Sequence, residues 1–195
     1  MKLNITPRES IPLPQTMPIT LVADNFRLAA NADHLTALRK RVKRWAFSNV
    51  RGTYFNVHTG WRIHVARNGI SKSVSHGEWP QLAAFSVLEE LLRAALLVES
   101  HPDRYKRPDI VAVHRMYAPF RLKDDLFRVK LTVTESEIAS YYDHTLTGIE
   151  TETPGRNSRT TVTPLGSQTH PGEISVPDFL HGVKYEDGTP FVWSP

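Results

Sequence analysis

The chain carries nine histidines and no cysteine. Histidine titrates near neutrality, so it serves as proton donor or acceptor, and Lys or Arg beside it can hold a phosphate. Those three roles are what metal-free RNA cleavage needs: a base on the 2′-hydroxyl, an acid on the leaving 5′-oxygen and a cation on the phosphate. His114, His76 and His144 are the candidate proton-transfer residues. Lys130 and Arg128 are the candidate phosphate holders, and Tyr142 is a further phosphate or base contact. Each histidine also fits a plain structural hydrogen bond, and His76, just before Gly77, fits a role in shaping the start of a helix. No His-x-x-x-His or His-Glu-x-x-His spacing occurs, so no metal site is expected. No P-loop and no Gly-x-Gly-x-x-Gly occurs, so no cofactor is expected. Ser100-His101 lacks the Gly-x-Ser-x-Gly setting of a hydrolase nucleophile.

These side chains need elements to hold them. Leu35, Leu38, Val42 and Trp45 recur at helical spacing and predict a helix over 33–47, capped by Asp33. Its other face carries Arg39, Lys40, Lys43 and Arg44, a solvated face or a phosphate-contacting strip. Trp61, Ile63 and Val65 alternate with Arg62 and His64, which predicts a strand. Asn68-Gly69 reads as a hairpin turn, with Ile70–Ser75, including Lys72, as the returning strand. Leu82, Phe85, Leu88 and Leu92 predict the longest helix, over 80–97, opened by Pro80. His101–Pro108 reads as a loop. Strands follow over 110–117, 126–134 and 141–148. Helices and strands segregate, so the expected class is α+β: two main helices packed on a mainly antiparallel sheet of four to six strands.

A tight turn around residues 123–124 fixes the register of the second hairpin. With Val113 opposite Val133, His114 falls opposite Thr132 and Met116 opposite Lys130. His114, Lys130 and Arg128 then share the outward, polar face, while Phe127, Val129, Leu131 and Val133 pack on a helix.

Residues 1–29 are expected to form an extended arm, 30–150 the domain, 151–173 a Thr/Ser/Pro/Gly linker and 174–195 an apolar arm that docks on its own domain or on a partner. Residues 1–150 hold 21 Lys/Arg against 15 Asp/Glu, a balance compatible with nucleic acid. There is no apolar run long enough to span a bilayer and no signal-peptide pattern at the start, so no membrane partner and a cytoplasmic location are expected.

Several segments in order carry a family resemblance: Gly52-Thr53-Tyr54-Phe55-Asn56, Thr59-Gly60-Trp61-Arg62-Ile63-His64-Val65, Gly69 to His76, Leu97 to Asp103, Val113-His114-Arg115-Met116-Tyr117-Ala118-Pro119, Arg128 to Val133, and Tyr141-Tyr142-Asp143-His144. Over roughly 35–150 the chain resembles the large polyvalent protein-associated domains of phage and mobile-element polyproteins. In layout it is similar to the barnase–EndoU–colicin–RelE-like nucleases. The resemblance implies a toxin-like ribonuclease or effector in conflict between genomes, acting on RNA and answered by an immunity or partner protein. The alternative is a non-catalytic module that binds protein or nucleic acid through its C-terminal arm.

Overall fold

The computed structural model describes residues 10–12, 32–122, 125–138, 141–152 and 173–192. In chain order the elements are β1 (Ser10–Pro12), α1 (Ala32–Asn49), β2 (Gly52–Phe55), β3 (Arg62–Val65), α2 (Arg67–Ser75) and α3 (Trp79–Ala84). A 3-10 turn (Phe85–Val87), α4 (Leu88–Ala94), β4 (Leu96–His101), β5 (Ile110–Leu122), β6 (Asp125–Ile138) and β7 (Tyr141–Glu152) follow, then β8 (Glu173–Ser175) and α5 (Val176–Leu180). The layout is α+β. Six strands form one sheet in the order β2-β3-β7-β6-β5-β4. Every neighbouring pair in it is antiparallel except β3 and β7.

Leu38, Val42 and Ala46 of α1, and Val50 just past its end, follow one another every four residues and are buried. That spacing keeps one face of the helix on α2, α3 and the 3-10 turn. Leu82, Phe85, Leu88 and Leu92 are buried with Val129, Leu131 and Val133 of β6, as their patterns predict. Val113 is not among them, because it points to the other face of the sheet.

Two corrections to the expected elements follow. Residues 70–75 do not return as a strand. They belong to α2, whose buried Gly69, Ile70, Ser73 and Val74 lie on one helical face. The helix packs so tightly on β7 that a Cβ on Gly69 would sit 2.2 Å from the Leu146 carbonyl oxygen. Asn68-Gly69 therefore marks a close approach of backbones. Next, the helix expected over 80–97 is broken. Val87 leaves helical geometry at φ −124°, ψ 26°, and Ala95 becomes extended at φ −59°, ψ 136°. The chain then continues as β4, so His101 ends a strand and only the residues after it loop. Ser10–Pro12 of the extended N-terminal arm pairs with Glu173–Ser175, where the expected linker meets the C-terminal arm. The rest of both segments, 1–9, 13–31 and 153–172, lies outside the described residues.

The register of the β5–β6 hairpin differs from expectation by one residue. Leu122 opposes Asp125, so the turn has two residues and His114 falls opposite Val133, not Thr132. Side chains alternate along a strand, so one step of register moves a residue to the opposite face. His114 thus lies on the helix-covered face with Met116, Ala118 and Phe120, and is 3% exposed. Arg128 and Lys130 lie on the other face.

That other face is covered in part by the C-terminal segment. Val176, Phe179, Leu180 and Val183 pack on Leu96, Val98 and Tyr117. No helix among the described residues is long and apolar enough to cross a membrane.

Candidate functional site

A polar cluster sits at the end of the apolar stripe on the helix-covered face. Four strands and one loop build it. β5 gives His114, next in its stripe after Met116. β6 gives Glu135, next after Val133. β7 gives His144, which pairs with Glu135 on one side and with Ile63 of β3 on the other. β4 gives Ser100, directly opposite His114. Trp61, two residues before Ile63, therefore falls on the same face.

The loop between β2 and β3 is held by one buried side chain. Asn56 Nδ2 donates to the carbonyls of Leu92 at 2.7 Å and Ala95 at 2.9 Å. Its Oδ1 accepts from the Thr59 N–H and hydroxyl, both at 2.8 Å. One Asn thus satisfies orphan carbonyls at the end of α4 and closes the turn that precedes Trp61. Gly60 completes that turn at φ 73°, a conformation that suits glycine. On the same loop, His58 Nδ1 accepts from the Leu97 N–H at 3.1 Å. Burial lowers the His58 pKa, which keeps that nitrogen free to accept.

Trp61 then aligns both site imidazoles. Its ring stacks on His144 at 4.2 Å and 19°, and meets His114 at 4.5 Å and 51°. The two imidazole centroids are 5.7 Å apart. Both histidines are less than a tenth exposed.

The hydrogen bonds of His114 set its protonation. Nδ1 lies 2.8 Å from Ser100 Oγ, and Nε2 lies 3.2 Å from Glu135 Oε2. A carboxylate only accepts, so the bond to Glu135 puts the proton on Nε2. Ser100 then donates its hydroxyl proton to Nδ1. Burial lowers the His114 pKa, partly offset by the bond to Glu135 and its charge. A neutral ring backed by a carboxylate and facing a hydroxyl has the chemistry to accept a proton at Nδ1.

The other sequence candidates lie elsewhere. His76 is exposed at the C-terminal end of α2, and Lys72 is exposed on that helix. Both were expected on a strand beside the main helix. Arg128 is buried, and its Nη1 donates to the carbonyls of His181 at 2.8 Å and Phe179 at 3.4 Å. It therefore holds the end of α5. Lys130 pairs with Glu150 at 2.6 Å. Tyr142 opposes Glu137 in the ladder, and its side chain lies outside the described residues. On α1, Lys40 and Arg44 are exposed and Lys43 partly so, its Nζ 5.8 Å from the Phe47 ring. Arg39 Nε donates to the Gly77 carbonyl at 3.0 Å and is partly structural.

Glu135, Ser100 and Trp61 were not among the sequence candidates for chemistry. Glu135 had a readable signal: it continues the apolar series Val129, Leu131, Val133 with a carboxylate. Ser100 had none without the position of β4.

Fold and site together define an α+β domain with a two-histidine, one-carboxylate centre at the end of its sheet core. The model of one family, large polyvalent protein-associated domain 3, matches residues 33–142, more than half of the chain. The chain belongs to that family. Trp61, Ser100, His114 and Glu135 lie within the match, and His144 stands two residues past it. Among curated proteins and among solved structures nothing matches significantly.

Proposed function

We propose that this domain is a toxin-like ribonuclease, cleaving RNA by acid–base chemistry at His114 and His144. The observation that carries the reading is the convergence of two imidazoles, Glu135 and Ser100 against one indole. In the reaction the 2′-hydroxyl proton passes to His114 Nδ1, either directly in place of the Ser100 hydroxyl or through it. The 2′-oxygen bonds to phosphorus, and the bond to the 5′-oxygen breaks as His144 donates a proton to it. The products are a 2′,3′-cyclic phosphate and a 5′-hydroxyl. Glu135 accepts the Nε2–H bond and stabilises the imidazolium formed on His114. Lys40, Lys43 and Arg44 contribute salt-sensitive affinity for the RNA backbone.

The non-catalytic reading has less support. It relied on an apolar C-terminal arm offered to a partner, whereas Val176, Phe179, Leu180 and Val183 are buried against the chain's own sheet. Inducible expression in a bacterium tests the proposal. Growth arrest with fragmented RNA is expected for the wild type, and normal growth with intact RNA for His114→Ala. Equal toxicity of the two, or arrest with intact RNA, would reject it.

A further inference from the structure

We propose that His114, Glu135 and His144 form a binding site for a divalent transition-metal ion such as Zn²⁺, and that the ion silences the proton relay. The ligand atoms of these three residues all lie within 4.8 Å of one another. Two imidazoles and a carboxylate are a donor set that suits zinc and its neighbours in the first transition row.

Distance supports the fit. Tetrahedral zinc with ligands at about 2.0–2.1 Å holds them roughly 3.4 Å apart. His114 Nε2 and Glu135 Oε2 are already 3.2 Å apart. His144 closes the remaining gap with a movement on the order of 1 Å, small for a side chain.

Ser100 supplies the orienting partner that metal-bound histidines usually have. A hydroxyl both donates and accepts. With the proton on His114 Nε2, Ser100 donates to Nδ1 and the relay is set. With an ion in place of that proton, the ring switches tautomer, Nδ1–H donates to Ser100 Oγ, and the Nε2 lone pair faces the metal. The 2.8 Å contact serves both states. Trp61, stacked on His144, restrains that ring against turning away.

The two states exclude each other. An ion on His114 Nε2 leaves the ring's proton on Nδ1, which then no longer accepts one, and it takes up the Glu135 carboxylate and the His144 lone pair that the relay uses. The metal site itself does not depend on RNA cleavage, and its measurement needs no RNA.

The test is titration of the metal-free full chain with Co²⁺, read by visible absorption, and with Zn²⁺ by competition. One tight site per chain with a tetrahedral or five-coordinate Co²⁺ spectrum is expected. Glu135→Gln and His144→Ala should each weaken it at least tenfold. Ser100→Ala, which leaves all three ligands, should weaken it about tenfold through the lost orienting bond. Circular dichroism of each variant separates lost ligands from lost fold. Absence of a Co²⁺ spectrum in the wild type would overturn the proposal. So would unchanged affinity in a folded Glu135→Gln variant. If RNA is cleaved, EDTA should leave cleavage intact and stoichiometric Zn²⁺ should suppress it.

Discussion

Replacing Gly69 by Ala tests the contact on which the placement of β7, and so of His144, depends. An added Cβ would meet the Leu146 carbonyl oxygen at 2.2 Å and its carbon at 3.3 Å. Both atoms are backbone of a central strand, so no rotamer change relieves the clash. Ordinary contact begins at 3.4 Å, so α2 must lift off β7 by about 1.2 Å. Two neighbouring bonds stretch with it: Ser73 Oγ accepts from the Ile149 N–H at 3.1 Å, and Gln81 Nε2 of α3 donates to the Ser73 carbonyl at 2.9 Å. Overpacking costs about 1–3 kcal/mol, and each weakened bond roughly 1 kcal/mol. A loss of about 3 kcal/mol is expected, a large part of the 5–15 kcal/mol typical of a domain. Gly182→Ala is the control. Gly182 has φ 78° but nothing within 4 Å of an added Cβ, so its cost is conformational, about 1 kcal/mol. Urea unfolding followed by tryptophan fluorescence compares the two. If Gly69→Ala lies within 0.5 kcal/mol of wild type, the packing of α2 on β7 is wrong.

Three further outcomes are expected. Asn56→Ala strips the Leu92 and Ala95 carbonyls and the Thr59 turn of their partner, and should lower stability by about 2 kcal/mol, read by urea unfolding. His58 has a lowered folded pKa, so its contribution is full above the unfolded value near 6.5 and is lost as pH falls through the folded one; the fall in melting temperature below pH 6.5 should shrink in His58→Gln. Arg128→Ala leaves the Phe179 and His181 carbonyls without their donor, and limited proteolysis should cut within 173–192 sooner than in wild type.

Local patterns carried much of the fold. Of the helical series Leu35, Leu38, Val42 and Trp45, Leu38 and Val42 are buried and the other two pack partly buried against the core, while the alternation of Val129, Leu131 and Val133 and the Leu82–Leu92 face lie in the core the pattern implied. What failed were features decided by partners distant in sequence. Nothing local says that Ile63 pairs with His144 in parallel, and so Asn68-Gly69 resembled a hairpin when it opens a helix. The run over 80–97 reads as one helix, because the exit at Ala95 is set by an Asn56 amide some forty residues earlier. One residue of register decided the site. It moved His114 from the company of Lys130 to that of Glu135, His144 and Trp61, and separated the histidine from the cations assigned to it.

The central claim, a relay at His114, is tested most directly by cleavage of a short RNA under single turnover in EDTA. The wild type should yield 2′,3′-cyclic phosphate ends. His114→Ala and His144→Ala should each be slower by about 10²–10⁴, the usual effect of losing a general base or acid, while Lys130→Met, on the opposite face, should stay within a few-fold of wild type. Full cleavage by folded His114→Ala, or no cyclic phosphate from the wild type, would contradict the account.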